Sequence, residues 1–330
     1  MIISRTPFRI SFFGGGTDLP SFYKDEEGEV LSVTVNKYMY ITVNDRFDAS
    51  YRLSYSKTEI REKVSDIDHP ILKIALTKYG PLAQNLNGGR GLEILSMADI
   101  PSGTGLGSSS SFTVGLLHAL KAHIGVFQSA EQLAHEASHI EIEELEEPIG
   151  KQDQYAAAYG GLQSFKFKPD GAVAADPVVC SANTFSELES SILLFYTGMH
   201  RPASQILTEQ KANTESKRET LRKMKVMAEQ ARTLLSDGRS ISDFGALLDE
   251  GWRLKKTLAS GVSLPLIDSW YASALKAGAW GGKLLGAGGG GFLMLLCPQE
   301  RQEQVKQALG ELKQVPVSFD RWGSKIIFVG

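Results

Sequence analysis

The sequence predicts an α+β protein built as two lobes, and three observations carry that reading. Its 330 residues exceed the length at which one hydrophobic core keeps growing, which favours two packed lobes. Period-two alternation of β-branched and aromatic residues marks the amino-terminal stretch, whereas apolar residues at helical spacing mark most of residues 204–277. The chain then closes on a succession of strand, helix and strand.

Taken in order, Phe8, Ile10 and Phe12 alternate with Arg9 and Ser11, the pattern of a half-buried strand, and Gly14, Gly15 and Gly16 end it. EVLSVTVNKYMYITVND, residues 29–45, reads as two antiparallel strands turned about Asn36 and Lys37, because β-branched and aromatic residues fill both arms. Residues 55–85 are mixed and mostly helical in character, and GLEILSM is a short strand. Phe112, Gly115, Leu116, Ala119 and Leu120 recur every three or four residues, so a buried helix follows with Ser108 to Ser111 in its first turn. Ser129 with Gln132 makes a capping-box pattern; the helix it opens runs through Leu133, Ala134, Ala137 and Ile140 to about Pro148. Loop-rich KPDGAVAADP and SANTFSELES place the lobe boundary within 168–190, dividing the chain into 1–180 and 181–330. Beyond it come a strand at SILLFYTG, helices over roughly 204–236, 241–260 and 266–277, a strand at FLMLLC, a helix at QERQEQVKQALGELK and a last strand at VPVSF or KIIFVG.

Composition narrows the function. Hydrophobic residues make up 42% and charged residues 22% of the chain, as in folded soluble domains. A formal net charge of −3 offers no global attraction for nucleic acid or an anionic membrane, so the expected partner is a small molecule. Cys180 and Cys297 are far apart and form no C-x-x-C pair, which makes them core thiols and not a disulfide or zinc site. No apolar run approaches membrane-spanning length, and arginines and glycines interrupt MIISRTPFRISFFGGG where a signal peptide needs a continuous apolar region, so a cytoplasmic location is expected. A homodimer is compatible with the sequence.

Two glycine runs stand out. In DIPSGTGLGSSSS, residues 99–111, Gly103, Gly105 and Gly107 lead directly into the expected helix start at Ser108. Glycines let backbone N–H groups approach a phosphate, the helix adds free N–H groups and the positive end of its dipole, and serine hydroxyls can ligate a phosphate-bound magnesium ion. A structural glycine turn capped by serine would use the same residues. The Walker pattern is absent, with no lysine at the helix start. GAGGGG, residues 286–291, formally fits G-x-G-x-x-G but leads into a strand ending at Pro298, the wrong context for a dinucleotide site. It better suits a turn that brings one lobe's backbone against a ligand held by the other.

Acidic residues supply the remaining chemistry. With Leu133, Ala134, Ala137 and Ile140 as the buried stripe, Glu141 and Glu144 project toward that face and Glu143 points away. An inward glutamate sits at the stripe's edge, accepts hydrogen bonds or binds a metal. Asp153 in GKQDQ suits a helix N-cap or a base that takes a hydroxyl proton during phosphoryl transfer. Arg9 could hold such an aspartate ionised, and Asp18 could accept hydrogen bonds from sugar hydroxyls.

In combination, PSGTGLGSSSS resembles the phosphate-loop motif of the GHMP kinases, the superfamily that includes galactokinase, homoserine kinase and mevalonate kinase. RTPFRISFFGGGTDLP is similar to the family's amino-terminal motif in its sugar-kinase form, and KLLGAGGGGFLMLL to its carboxy-terminal glycine motif. The three occur in the family's order across residues 5–296. The resemblance implies an amino-terminal α/β lobe with the phosphate loop, a carboxy-terminal ferredoxin-like lobe, and an active site between them. Carried over residue by residue, it implies that Gly103, Thr104, Gly105, Leu106, Gly107, Ser108 and Ser109 bind the phosphates of ATP, that Ser109 and Glu141 hold Mg²⁺, and that Asp153 is catalytic with Arg9 beside it. Gly15, Gly16, Thr17, Asp18, Gly288 and Gly289 would then serve the acceptor.

Galactokinases carry a Glu-His pair where this chain has Gly15 and Gly16, so galactose is not the expected acceptor. FGGGTDLP, IGKQDQYAAAYGG and YTGMHRPASQIL are most similar to the branch that acts on D-glycero-D-manno-heptose 7-phosphate, with the fucokinase domain as a close relative. The implied reaction is phosphorylation of the anomeric hydroxyl to the 1,7-bisphosphate, toward nucleotide-activated heptose. Another fucokinase-like or GHMP small-molecule kinase, and a non-catalytic sugar or nucleotide sensor, are the alternatives. A phosphorylated acceptor needs a second anion site, for which Arg201 and then Lys37 are the candidates.

Overall fold

The computed structural model describes residues 1–199 and 203–330. In chain order the first half comprises β1 (Ile2–Phe13), α1 (Pro20–Tyr23), β2 (Gly28–Asp45), β3 (Tyr51–Ser54), β4 (Thr58–Arg61), α2 (Pro70–Asn87), β5 (Leu92–Ala98), α3 (Ser108–His123), α4 (Ala130–Ser138), α5 (Gln152–Tyr159), β6 (Leu162–Phe167) and β7 (Val173–Pro177). The second half continues with α6 (Ala182–Ser191), β8 (Ile192–Tyr196), α7 (Ala203–Ala212), α8 (Arg218–Ser236), α9 (Ile241–Lys255), α10 (Pro265–Lys276), β9 (Gly281–Leu284), β10 (Phe292–Leu296), α11 (Gln302–Ala308), β11 (Lys313–Gln314), β12 (Phe319–Asp320) and β13 (Lys325–Val329).

Among the described residues, nine strands form the first sheet, in the order β13-β1-β2-β5-β3-β4, with β12 and β6 also on β2 and β7 on β6. Helices α3 and α5 pack on β1, and so do α8 and α9 from the second half. Every residue from Thr6 to Phe13 is therefore buried, polar ones included, which corrects the expectation of a half-buried strand. Helix α3 comes close to the sheet because Gly115 has no side chain: Ser4 Oγ donates to its carbonyl at 2.8 Å, and a Cβ there would stand 2.8 Å from Thr6 Oγ1.

Residues 28–45 form one strand, not the expected pair turned about Asn36 and Lys37. β1 runs antiparallel beside its residues 31–43, and the register jumps from Pro7 opposite Tyr38 to Phe8 opposite Val35. The extra residues make a bulge, which bends the strand and frees its other edge to pair with β6 on one side of the bend and β5 on the other. Asn36 is held there by its own N–H to Ser318 O and by Ser318 N to its Oδ1, each at 2.8 Å.

The second sheet has the order β11-β8-β10-β9 and is antiparallel throughout. In chain order its strands lie 4-1-3-2, with helices in the first and third connections, a ferredoxin-like arrangement. The last strands do not stay with it. β12 pairs with β2, and β13 covers the free edge of β1, so residues 319–329 belong to the first sheet although they follow the expected division at 180.

The two halves share one core. Phe8, Ile10 and Phe12 cluster with Met227, Phe244, Leu248 and Phe292, while a smaller cluster around Trp252, Trp270 and Leu293 lies within the second half. Phe244 of α9 sets its ring edge-on to both Phe12 and Phe13, at 5.3 and 5.1 Å. Among the described residues no helix is long and apolar enough to cross a membrane. Because Phe244 is fully buried at the junction, Phe244→Ala should destabilise the protein by about 3–5 kcal/mol in urea unfolding; a loss below about 1 kcal/mol would mean the halves do not depend on this contact.

Candidate active site

A cavity of about 320 Å³ opens between the two sheets' helices and loops. Gly103, Gly105, Gly107 and Ser108 to Ser110 line it from the serine-rich loop, Gly15, Gly16 and Asp18 from the turn after β1, and Gly286 to Gly288 from the second glycine run. The two glycine runs meet here. A Cβ on Gly105 would lie 2.4 Å from Leu285 O, and one on Gly286 would lie 2.5 Å from Gly105 Cα, so only bare backbone permits the approach. α3 begins directly after Gly107, with Ser108 as its first residue. Its free N–H groups are thus at the cavity wall.

Arg9 also lines the cavity. Its Nε and Nη2 donate to Asp153 Oδ1 and Oδ2 at 2.8 and 2.7 Å, a bidentate pair, while Nη1 donates to Gly105 O at 2.7 Å. The arginine side chain is 6% exposed and the aspartate 28%, so the carboxylate is the member that faces the opening. Asp153 is the second residue of α5, behind Lys151 at the N-cap; the N-cap role that its position after a glycine suggested is not the one it takes. It adjoins Gly107, where a Cβ would be 3.3 Å from its Oδ2.

Glu141 points inward, as its phase on the helix predicts. The segment after α4 loosens into a π turn over His139–Glu144, ending the helix before the expected Pro148. Extra residues per turn rotate Glu144 away from the stripe, and it pairs instead with Lys78 at the surface. Glu141 is 1% exposed and accepts from Ser109 Oγ at 2.6 Å and from Gln154 Nε2 at 2.7 Å. Burial pushes its carboxyl up from the usual range despite those bonds, with the charge of Asp153 acting in the same sense. Asp18 behaves alike: burial raises it, although Gly16 N and Gln152 N donate to its two oxygens at 2.9 and 3.3 Å.

Thr17, Thr104, Leu106 and Gly289 support the cavity without lining it. Thr17 Oγ1 donates to Gly14 O at 2.8 Å and accepts from Glu29 N at 3.1 Å, tying the turn to β2. Thr104 Oγ1 donates to Pro101 O at 2.9 Å, Leu106 is buried with its carbonyl on Arg9 N, and Gly289 N donates to Val262 O at 3.0 Å. Lys37 sits at the bulge of β2, away from the lining residues. Arg201 lies outside the described residues.

Sequence reasoning missed two buried lysines that line the cavity, Lys255 and Lys283. Lys255 Nζ donates to Gly286 O, with Leu284 O at 3.5 Å. Lys283 Nζ donates to Phe12 O at 2.9 Å, a bond from β9 across to β1. Burial depresses both ammonium groups, Lys255 to about 8 and Lys283 well below its ordinary value; nearby Arg9 pushes each in the same direction. A signal was present for Lys255, which continues the apolar stripe of Phe244, Leu248 and Trp252 along α9.

Comparison with known proteins agrees with this architecture. The chain matches the family model described as GHMP kinases N terminal domain over residues 71–161 and that described as GHMP kinases C terminal over residues 227–313. It is 30% identical to a D-glycero-alpha-D-manno-heptose 7-phosphate kinase of Campylobacter jejuni, the match covering 93% of each chain. It is 27% identical to the L-fucokinase/L-fucose-1-P guanylyltransferase of Bacteroides fragilis, covering 90% of this chain and 34% of that one. Among solved structures, a D-glycero-D-manno-heptose 1-phosphate kinase from Bacteroides thetaiotaomicron superposes with a TM-score of 0.80 and 26% identity over 100% of both chains. With both family domains present in order and relatives aligned along nearly its whole length, the chain belongs to the GHMP kinase family.

Proposed function

We propose that this sugar kinase of the GHMP family transfers the terminal phosphoryl group of ATP to the anomeric hydroxyl of a heptose 7-phosphate, giving the 1,7-bisphosphate. The observation that carries the reading is the Arg9–Asp153 pair set against Gly105 and Gly107 at the mouth of a helix. The relative from Campylobacter jejuni supports the choice of acceptor. In this reading the backbone of Gly103, Gly105 and Gly107 and the N-terminus of α3 hold the phosphates. Gly15, Gly16 and Asp18 receive the sugar, with Asp18 accepting from its hydroxyls.

Asp153 orients the attacking hydroxyl. Arg9 donates to both carboxylate oxygens and so fixes their direction, which suits Asp153 to positioning the hydroxyl and accepting its proton as the phosphoryl group transfers. As the new P–O bond forms and the bond to the leaving diphosphate breaks, the hydroxyl proton passes to Asp153 and then to solvent. The residues present also fit a divalent cation. Glu141 is a buried carboxylate with no cation against it among the described residues, and Ser109 Oγ is beside it. Bound by these two side chains and phosphate oxygens, Mg²⁺ would neutralise charge on the phosphates.

The test of the reaction is direct. Purified protein with ATP, Mg²⁺ and a panel of heptose 7-phosphate, fucose, galactose and mevalonate should form the sugar 1,7-bisphosphate, read by phosphorus NMR; transfer to fucose alone would replace the acceptor, and nucleotide binding without transfer to any would favour a sensor. Asp153→Asn should lower turnover by about 10²- to 10⁴-fold with nucleotide affinity changed less than about threefold. A second outcome follows from Glu141. In metal-free buffer Glu141→Gln should raise the melting temperature by about 2–4 °C, because it removes a buried charge while Gln154, whose Oε1 lacks a partner, can turn to accept from the new amide. The same variant should lose the extra stabilisation that Mg²⁺ with nucleotide gives the parent protein. A lower melting temperature without metal, or an undiminished metal effect, would remove Glu141 from the cation site.

A further inference from the structure

The phosphate loop carries no lysine, yet a lysine reaches the same place from the other half of the molecule. Lys255 is 7% exposed and lines the cavity, and among the described residues no carboxylate forms an ion pair with it. Its ammonium is held only by carbonyl oxygens, chiefly that of Gly286. Gly286 is the residue packed against Gly105, and Gly105 O accepts from Arg9. One chain of contacts thus places the Lys255 amine on the cavity wall beside Gly105, whose carbonyl accepts from Arg9.

Such a charge is costly. An ammonium taken out of water whose hydrogen bonds go only to carbonyls is incompletely repaid for its desolvation; burial and the neighbouring Arg9 lower its proton affinity, and the more distant charges of Asp18 and Asp153 act the other way without reversing the shift. Lys283 lies in the same cavity, where Lys255 in turn lowers its proton affinity. Lys283 has a structural use, since its amine bridges to Phe12 O of β1. Lys255 has no equivalent: Gly286 O belongs to the turn that follows β9, close to Lys255 in the same half. Among the described residues no anion is in hydrogen-bond contact with this amine, and the cavity that Lys255 faces is the one assigned above to phosphates.

We infer that Lys255 is a phosphate ligand contributed by the carboxy-terminal half, which takes an oxygen of the phosphoryl group being transferred and so does for this loop what its own sequence does not supply. The inference rests on the kinase reading but not on the identity of the sugar. It places the amine on the terminal phosphate of the donor, because the contact through Gly286 leads to Gly105 of the phosphate loop and not to the turn at Gly15 and Gly16. Lysine suits this task as a point charge that follows the phosphoryl group as its bonds change.

Binding of two nucleotides, with no acceptor present, tests it. Lys255→Gln keeps a donor for the Gly286 carbonyl and removes the charge; Lys255→Met is the second variant, and loss of an uncompensated buried charge is compatible with folding of both. By calorimetry with Mg²⁺, a non-hydrolysable ATP analogue should bind each variant on the order of tenfold more weakly than the parent protein, while ADP binds within about twofold. Equal weakening of both nucleotides, or an unchanged analogue affinity, would overturn the assignment. So would a variant that binds both nucleotides as the parent does and loses affinity only for heptose 7-phosphate, since the amine would then read the acceptor's own phosphate. If the parent protein bound neither nucleotide, the kinase reading itself would fail, an outcome distinct from a parent that discriminates and a variant that still does.

Discussion

One guanidinium joins the three pieces on which the site depends. Arg9 issues from β1, grips Asp153 at the start of α5 with two N–H groups, and gives a third to the carbonyl of Gly105 in the serine-rich loop. The planar fork fixes direction as well as distance, which a lysine at this position could not do. Arg9 is itself immobile because its strand is buried on both faces and its backbone N–H donates to Leu106 O. Sheet, loop and helix are therefore positioned by one side chain whose own position is set by the core.

The charges around this knot are unequal in their satisfaction. Arg9 and Asp153 neutralise each other, whereas Glu141, Asp18, Lys255 and Lys283 are all nine-tenths or more buried and none has an opposite charge in hydrogen-bond contact. Each is held by neutral donors or carbonyls, enough to fix its geometry but not to repay its desolvation. A site of this kind is costly to hold alone and is complementary to ligands that bring hydrogen-bond donors or opposite charge to these groups. Its preorganisation is charged against the stability of the fold, as electrostatic catalysis requires.

Much of this was legible in the sequence, and the exceptions have physical causes. The helix start after the serine-rich loop was readable because glycines give way at Ser108 to apolar residues at helical spacing, and Glu141 because its phase on the helix conflicts with its charge. Phase failed three residues later at Glu144, where the π turn breaks the period on which the reading depends. Asn36 and Lys37 resemble a hairpin turn by composition, but whether polar residues reverse a strand or bulge it depends on the partner, and β1 is long enough to run past both. Lys255 obeyed the same logic as Glu141, a charge in step with an apolar stripe, on a helix whose chemistry nothing nearby advertised. The return of β12 and β13 to the first sheet involves partners nearly the whole chain apart, and no local pattern encodes it.

That return also bears on how the site works. Two-lobed enzymes often close by a hinge, which needs an interface that separates easily. Here α8 and α9 contribute to the core under β1, Lys283 bonds to Phe12 O, the glycine turns touch at Gly105 and Gly286, and the chain crosses back to end in the first sheet. Opening the lobes as rigid bodies would break all four at once. A hinge at this junction therefore costs more than one between domains that merely touch, because the walls of the cavity are tied to a core the two halves share.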